Sequence, residues 1–169
     1  MWNGVIALIA QIKKCEVAGA TPSAVAMAYI CIDTMAFLSL SVGRDTQGKA
    51  DFIAWVDTYL KGSPKQPYQY RGLDVYAARC ALLHAFGSMA DFHGKNKNAK
   101  TFMYSNGGKH VYAPAKNDRL VIIGTASFLN DIVHAVTSFM DACQADADLR
   151  QRVAKRLPKV LENFRISAR

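Results

Sequence analysis

Hydrophobic residues recur at helical spacing along most of the chain. The stretch from Thr21 is apolar almost all round, which indicates a helix buried on several sides. Pro22 suits its first turn, where a missing backbone N–H does no harm. Pro158 either kinks or restarts the last helix. The pattern predicts five to six helices, over residues 2–16, 21–42, 49–61, 71–86, 120–145 and 150–164.

A β-like pattern lies between the fourth and fifth of these helices. Residues 101–104 and 110–112 flank a Ser-Asn-Gly-Gly stretch at 105–108, and Asn and Gly accept the positive φ that a hairpin turn requires. A two-stranded hairpin is marginal alone and must pack on the helices. We therefore expect one all-α domain over residues 1–169, a helical bundle with a small β-hairpin insertion at about 95–117.

Composition narrows the class of protein. With 169 residues, of which 51% are hydrophobic, the chain is not mostly disordered, and its net charge of +8 favours an anionic partner. The four cysteines form no C-x-x-C pair, which favours free buried thiols over disulfides or a zinc site. The N-terminus lacks the basic segment of a signal peptide. These features predict a cytoplasmic protein that needs no metal or other cofactor.

The apolar stretch at residues 21–43 has the length of a membrane span. Asp33 lies near its middle, and a central Asp costs about 2.5–3.5 kcal/mol on insertion scales. A buried core helix is therefore the preferred interpretation, and we expect no membrane partner.

Basic and aromatic residues alternate in the insertion. Residues 95–119 contain six Lys or Arg against the single acid Asp118. Such a patch suits phosphate attraction with base stacking, although a solvated lysine-rich loop has the same composition. The basic last helix has three interpretations: an extension of an RNA surface, a site for an acidic protein partner, or a solvated face. The candidate RNA-binding residues of the insertion are Lys97, Lys100, Lys109, Phe102, Tyr104 and Tyr112.

The fourth helix carries two ionisable side chains on otherwise apolar stripes, Arg79 and His84. A buried charge is costly unless it is paired, and Asp33 poses the same problem with the opposite sign. We therefore expect Asp33 beside Arg79 or His84. On an ideal helix the side chains of Arg79 and His84 point about 140° apart, so a single helix should bring them together poorly.

The string GLDVYAARCALLH at residues 72–84 contains an R-x4-H pattern, from Arg79 to His84. It resembles the signature of the HEPN superfamily, in an uncharacterised plasmid- and phage-borne bacterial branch. HEPN proteins are small helical domains, many of them metal-independent endoribonucleases of toxin–antitoxin, abortive-infection and CRISPR systems. The resemblance covers about residues 20–145. It departs from the usual pattern at Cys80, where many active members have a polar residue.

The resemblance implies a homodimer in which two signature helices face each other around one cleft. There His84 would remove the RNA 2′-hydroxyl proton or protonate the leaving oxygen, and Arg79 would hold the phosphate. Supporting roles would go to Asp33, Asp74, Tyr76 and Cys80. The products would carry 2′,3′-cyclic phosphates, no metal would be required, and an antitoxin would be a further partner.

Three other interpretations remain open at this point. In the first, Arg79 and His84 have a purely structural role, as a salt-bridged arginine and a core histidine. The second interpretation is a catalytically inactive HEPN-like module that binds RNA, a nucleotide or a protein partner. The third interpretation is a helical scaffold without a nucleic-acid role.

Overall fold

The computed structural model describes residues 2–61, 68–87, 91–106 and 108–160. This part of the chain is mostly helical and includes a small three-stranded sheet. A π-helical turn, Val56–Leu60, follows α3, and a 3₁₀ turn, Leu157–Lys159, follows α7. The helices are α1 Asn3–Val17, α2 Thr21–Leu38, α3 Lys49–Trp55, α4 Gly72–Ala85, α5 Asp91–Lys95, α6 Thr125–Ala145 and α7 Ala147–Arg156, and the strands are β1 Thr101–Ser105, β2 Val111–Tyr112 and β3 Leu120–Gly124.

Helix α2 forms the centre of the core, as its all-round apolar pattern predicts. It packs on α1, α3, α4 and α6, and half of its residues are buried. Its first turn contains Pro22, where the sequence places it. By length and composition α2 is also long and apolar enough to cross a membrane, a test that the buried core helix of a soluble protein also passes. Its neighbours in this fold are protein helices.

Helix α4 is fixed closely to α3 at its first residue. A Cβ on Gly72 would lie 2.6 Å from the carbonyl oxygen of Ile53, so only glycine allows this approach. The backbone N–H of Gly72 donates to the Asp57 carboxylate at 2.9 Å. The helix ends at Ala85, and Phe86 follows in a left-handed conformation with φ of 48° and 72% of its surface exposed.

The strands pair differently from the predicted hairpin. β1 and β2 do not pair with each other, because β3 lies between them, parallel to β1 and antiparallel to β2. The all-α prediction is therefore too narrow, and so is the interpretation of Leu120 as the start of a helix. Val121, Ile122 and Ile123 are β-branched, which favours a strand. Position 107 of the predicted turn lies outside the described residues.

The last two helices also start elsewhere than predicted. α6 starts at Thr125, whose hydroxyl donates to the carbonyl of Ser105 at 3.1 Å and so connects the helix to β1. α7 starts at Ala147 because the Asp146 carboxylate accepts hydrogen bonds from two backbone N–H groups of its first turn. Pro158 lies in the 3₁₀ turn that follows α7. The predicted helix end at 164 lies outside the described residues.

All four cysteines are free thiols, as predicted. Three of them are buried, among them Cys31 in α2. Burial raises the pKa of the Cys31 thiol to about 12, so this side chain stays protonated and acts as a small apolar group.

Candidate functional site

Arg79 of α4 and Asp33 of α2 form an ion pair where the two helices meet. The Nε and Nη2 atoms of Arg79 both lie 2.9 Å from Oδ2 of Asp33. Gln47 donates from Nε2 to the other carboxylate oxygen, Oδ1, at 3.1 Å. The predicted pairing of the lone carboxylate of α2 with Arg79 is therefore confirmed. Both oxygens of Asp33 are occupied, which fixes the plane of the guanidinium.

His84 contacts the same guanidinium. The Nη1 atom of Arg79 lies 3.1 Å from Nε2 of His84. Since a guanidinium has donors only, Nε2 is the acceptor in this hydrogen bond, which corresponds to the tautomer with its proton on Nδ1. The expectation that one helix would bring these side chains together poorly is wrong, because the long arginine side chain bridges the angle between the two Cβ directions.

The charge of Arg79 is secured by its partner. Burial by itself would lower the pKa of Arg79, but the charge of Asp33 and its hydrogen bond outweigh that effect, and the pKa is raised. The side chain of Arg79 keeps 22% of its surface exposed, and His84 is exposed. The pair is therefore a fixed cation in contact with an unprotonated imidazole nitrogen, and both groups are open to solvent.

A cleft of about 370 Å³ lies beside the ion pair. The ammonium of Lys49 lines it and lies 4.7 Å from the centre of the Phe92 ring. With Lys49 and Arg79 against Asp33, the charged groups that line the cleft sum to one positive charge. The described lining consists of Asp33, Gln47, Gly48, Lys49, Tyr76 and Arg79.

Tyr76 and Cys80 lie beside Arg79, as their predicted supporting roles require. The half-buried Tyr76 ring packs edge-on against Phe52 and Phe92. Burial, and then the neighbouring Cys80, raise the pKa of Tyr76, so its hydroxyl remains protonated. Cys80 is 8% exposed and also interacts with Arg79. The buried Cys80 thiol thus interacts with both the Tyr76 hydroxyl and the Arg79 guanidinium.

No family model, curated protein or solved structure matches the chain. The resemblance to HEPN domains therefore depends on the R-x4-H string of α4 and its helical setting. The ion pair and the histidine contact are the observations from which a function is proposed below.

Asp74 does not belong to this site, contrary to its predicted supporting role. Its carboxylate is fully buried and accepts hydrogen bonds from the backbone N–H groups of Arg71 and Lys100, both at 2.8 Å. These contacts connect the start of α4 to the segment before β1. Asp74 therefore stabilises the fold, because both of its oxygens accept backbone hydrogen bonds and not contacts from Arg79 or His84.

The aromatic half of the predicted RNA-binding patch is largely core. Phe102 is 1% exposed and cannot stack on a base. The Tyr104 hydroxyl is paired with that of Tyr29 at 2.5 Å, and burial raises the pKa of Tyr104. Both side chains point inward because β1 packs on the helices. Base stacking by these two residues is therefore a wrong prediction.

The lysines of the patch lie at the surface or against other groups. Lys97 and Lys109 are exposed. Lys100 donates to the carbonyl of Gln69 at 2.5 Å, and its ammonium lies 3.9 Å from the centre of the Tyr112 ring. The Tyr112 hydroxyl donates to the carbonyl of Asp118. Tyr112 is thus already covered on one face by a cation.

Two residues of the site carried no signal in the sequence. Gln47 and Lys49 lie in and just after the polar break between α2 and α3, where no periodicity marks a position as important. Their place beside Asp33 follows from how the loop returns to α2, which is a tertiary property.

Proposed function

We propose that the chain is a metal-independent endoribonuclease of HEPN type. The observation that carries the proposal is the contact between the Arg79 guanidinium and Nε2 of the exposed His84, with Asp33 fixing the guanidinium. Cleavage of RNA by its own 2′-hydroxyl needs a base for the hydroxyl proton and a cation for the phosphate charge. This pair supplies one of each.

In the proposed reaction the 2′-oxygen of a ribose forms a bond to the adjacent phosphorus while the bond from phosphorus to the 5′-oxygen breaks. His84 takes the 2′-hydroxyl proton on Nε2 once its exposed imidazole turns away from Nη1 of Arg79, which then donates to a phosphate oxygen. The planar guanidinium suits two phosphate oxygens, and Asp33 keeps it oriented. An imidazolium returns a proton to the 5′-oxygen. The products are a 2′,3′-cyclic phosphate and a 5′-hydroxyl.

This proposal is tested by incubating the purified protein with cellular RNA in EDTA. We expect cleavage, with 3′ ends that resist phosphatase until acid opens the cyclic phosphate. Intact RNA after incubation with folded wild-type protein would contradict the proposal. RNA that is bound but uncut would instead support the catalytically inactive module, which is favoured by the neutralisation of Arg79 by Asp33.

A lysine in place of Arg79 should weaken cleavage. An ammonium is a single point charge and cannot hold Asp33, His84 and a phosphate in one plane. We expect Arg79→Lys to lower the initial rate about 10²-fold, the effect typical of losing one donor to a developing negative charge. Arg150→Lys is the matched control, because this exposed arginine of α7 donates to the carbonyl of Gln144, away from the site. Equal rates for the two variants would contradict the role of Arg79.

We propose that two copies form the active unit. Two histidines would then serve one cleft, one as base and the other, protonated, as acid. Support comes from two exposed apolar side chains close in sequence to the site: Ile30, three residues before Asp33 on α2, is 41% exposed, and Phe86, two residues after His84, is 72% exposed. Burial of such residues by a partner copy is favourable.

Replacing Phe86 tests this dimer. Asn tolerates the positive φ at this position, so Phe86→Asn removes the exposed ring without straining the backbone. We expect a dimer for the wild type and a shift to monomer for the variant in light scattering at micromolar concentration, with an unchanged far-UV circular dichroism spectrum at low temperature. Val17→Asn, at an exposed position at the end of α1, is the control. A wild-type monomer would contradict the dimer.

In a cell, the proposed activity would make the chain a toxin or a phage-defence effector, and an antitoxin its protein partner. Induced expression should arrest growth together with loss of RNA integrity. Growth arrest with intact RNA would contradict a ribonuclease toxin.

A further inference from the structure

A second pocket, of about 440 Å³, lies between α7 and the loop after α2. Its charged lining is four cations against Asp45. The net charge of the described lining is therefore +3, on a surface separate from the Arg79 site. The cations are Arg152, Lys155, Arg156 and Lys159.

Arg156 is the buried member of this cluster, with 7% of its surface exposed. It donates to the carbonyl oxygens of Leu40, Ser41 and Arg44 at 2.8–2.9 Å. These acceptors satisfy its hydrogen bonds but are neutral. Among the described residues, no carboxylate lies within 4.0 Å of any of the four cations. Asp45 offsets only one of the four positive charges in the lining, so the cations repel one another and a bound anion would relieve that repulsion.

The loop after α2 connects this pocket to the Arg79 site. Asp45 lines the cationic pocket, and Gln47 lines the cleft beside Arg79. Two residues of extended chain span at most about 7 Å, so Asp45 in one lining and Gln47 in the other are close together. The loop is held at both ends, by Arg156 at its start and by the bond from Gln47 to Asp33 at its end.

We infer that the α7 pocket binds the phosphate backbone of RNA beside the scissile phosphate. The identity of the anion as RNA rests on the proposed function. The described lining has no aromatic side chain, so bases have no ring to stack on, and binding depends on phosphates without regard to sequence. Exposed lysines in a pocket that shares a loop with the proposed cleavage site suit a single strand that contacts both.

The test uses a short fluorescein-labelled oligouridylate and the His84→Ala variant, so that the probe stays intact. Its dissociation constant is measured by fluorescence anisotropy over a range of salt concentrations. Adding Lys155→Gln and Lys159→Gln removes two exposed charges that have no partner in the described chain. Since each phosphate contact contributes about 0.7 to the slope of log K against log salt for single strands, we expect the slope to fall by about 1.4.

Lys13→Gln with Lys14→Gln, at exposed positions on α1, is the control with the same change in net charge. Equal slopes for the two double variants would overturn the inference. It would also be overturned if a polyglutamate peptide bound through Lys155 and Lys159 while the oligonucleotide did not, since the partner would then be an acidic protein. If wild-type protein fails to cut RNA but the slope still falls by the expected amount, the proposed function fails and this binding site stands.

Discussion

His84→Ala should reduce RNA cleavage by about 10²- to 10⁴-fold, the contribution typical of a positioned general acid or base. Its stability should change by less than about 0.5 kcal/mol, because surface substitutions away from the core usually have small effects. His84 is exposed, and its hydrogen bond in the described part of the chain is the one to Arg79. Arg79 keeps both bonds to Asp33 in the variant. Loss of activity without loss of stability would therefore show that His84 acts in the reaction and not in folding.

The matched control is His134→Ala, because His134 is an exposed histidine on α6. Initial cleavage rates and urea unfolding curves should be measured for both variants beside the wild type. If the two variants cut RNA at the same rate, an imidazole at position 84 has no special role. Such a result would leave Arg79 and His84 as a structural pair and favour the binding module.

The central pairing of the site could be predicted because a lone charge in an apolar helix needs a partner. Asp33 and Arg79 each lie in a predicted core helix. Because burying either charge without a partner is costly, an ion pair between them is favoured. The orientation of His84 could not be predicted from Cβ directions, since these ignore how far an arginine side chain reaches. Gln47 and Lys49 could not be predicted at all, because the path of a polar loop leaves no periodic pattern.

The helices could be located because burial repeats at the helical period, and α6, with buried residues at Phe128, Leu129, Ile132, Ala135, Val136 and Phe139, shows this most clearly. The sheet could not be located in the same way, because the sequence of its central strand is ambiguous. Leu120–Ile123 is a short apolar run, which is compatible with a buried strand and with the first turn of a helix. The prediction of a helix there omits β3, and without β3 the pattern pairs β1 and β2 as a hairpin. The hairpin prediction also leaves Phe102 at the surface, whereas in the structure Phe102 lies on the buried face of β1.

The clearest structural prediction concerns Asp74, which the sequence suggested as a helper of the catalytic pair. Its carboxylate is fully buried and caps α4 through the backbone N–H of Arg71. The other oxygen accepts the N–H of Lys100, which holds the segment before β1. Asp74→Ala would leave both N–H groups without this acceptor. Each lost partner costs about 1–3 kcal/mol, so we expect the free energy of unfolding to fall by about 3 kcal/mol.

Urea unfolding followed by circular dichroism measures this loss. Asp141→Ala, at an exposed carboxylate of α6, controls for the change in charge and should alter stability by less than about 0.5 kcal/mol. Asp74→Asn keeps one acceptor oxygen and should lie between the two. Were Asp74→Ala as stable as Asp141→Ala but unable to cut RNA, Asp74 would act on the reaction after all. A large loss of stability that Asn partly restores would place it in the framework that holds α4, and with it Arg79, against α2.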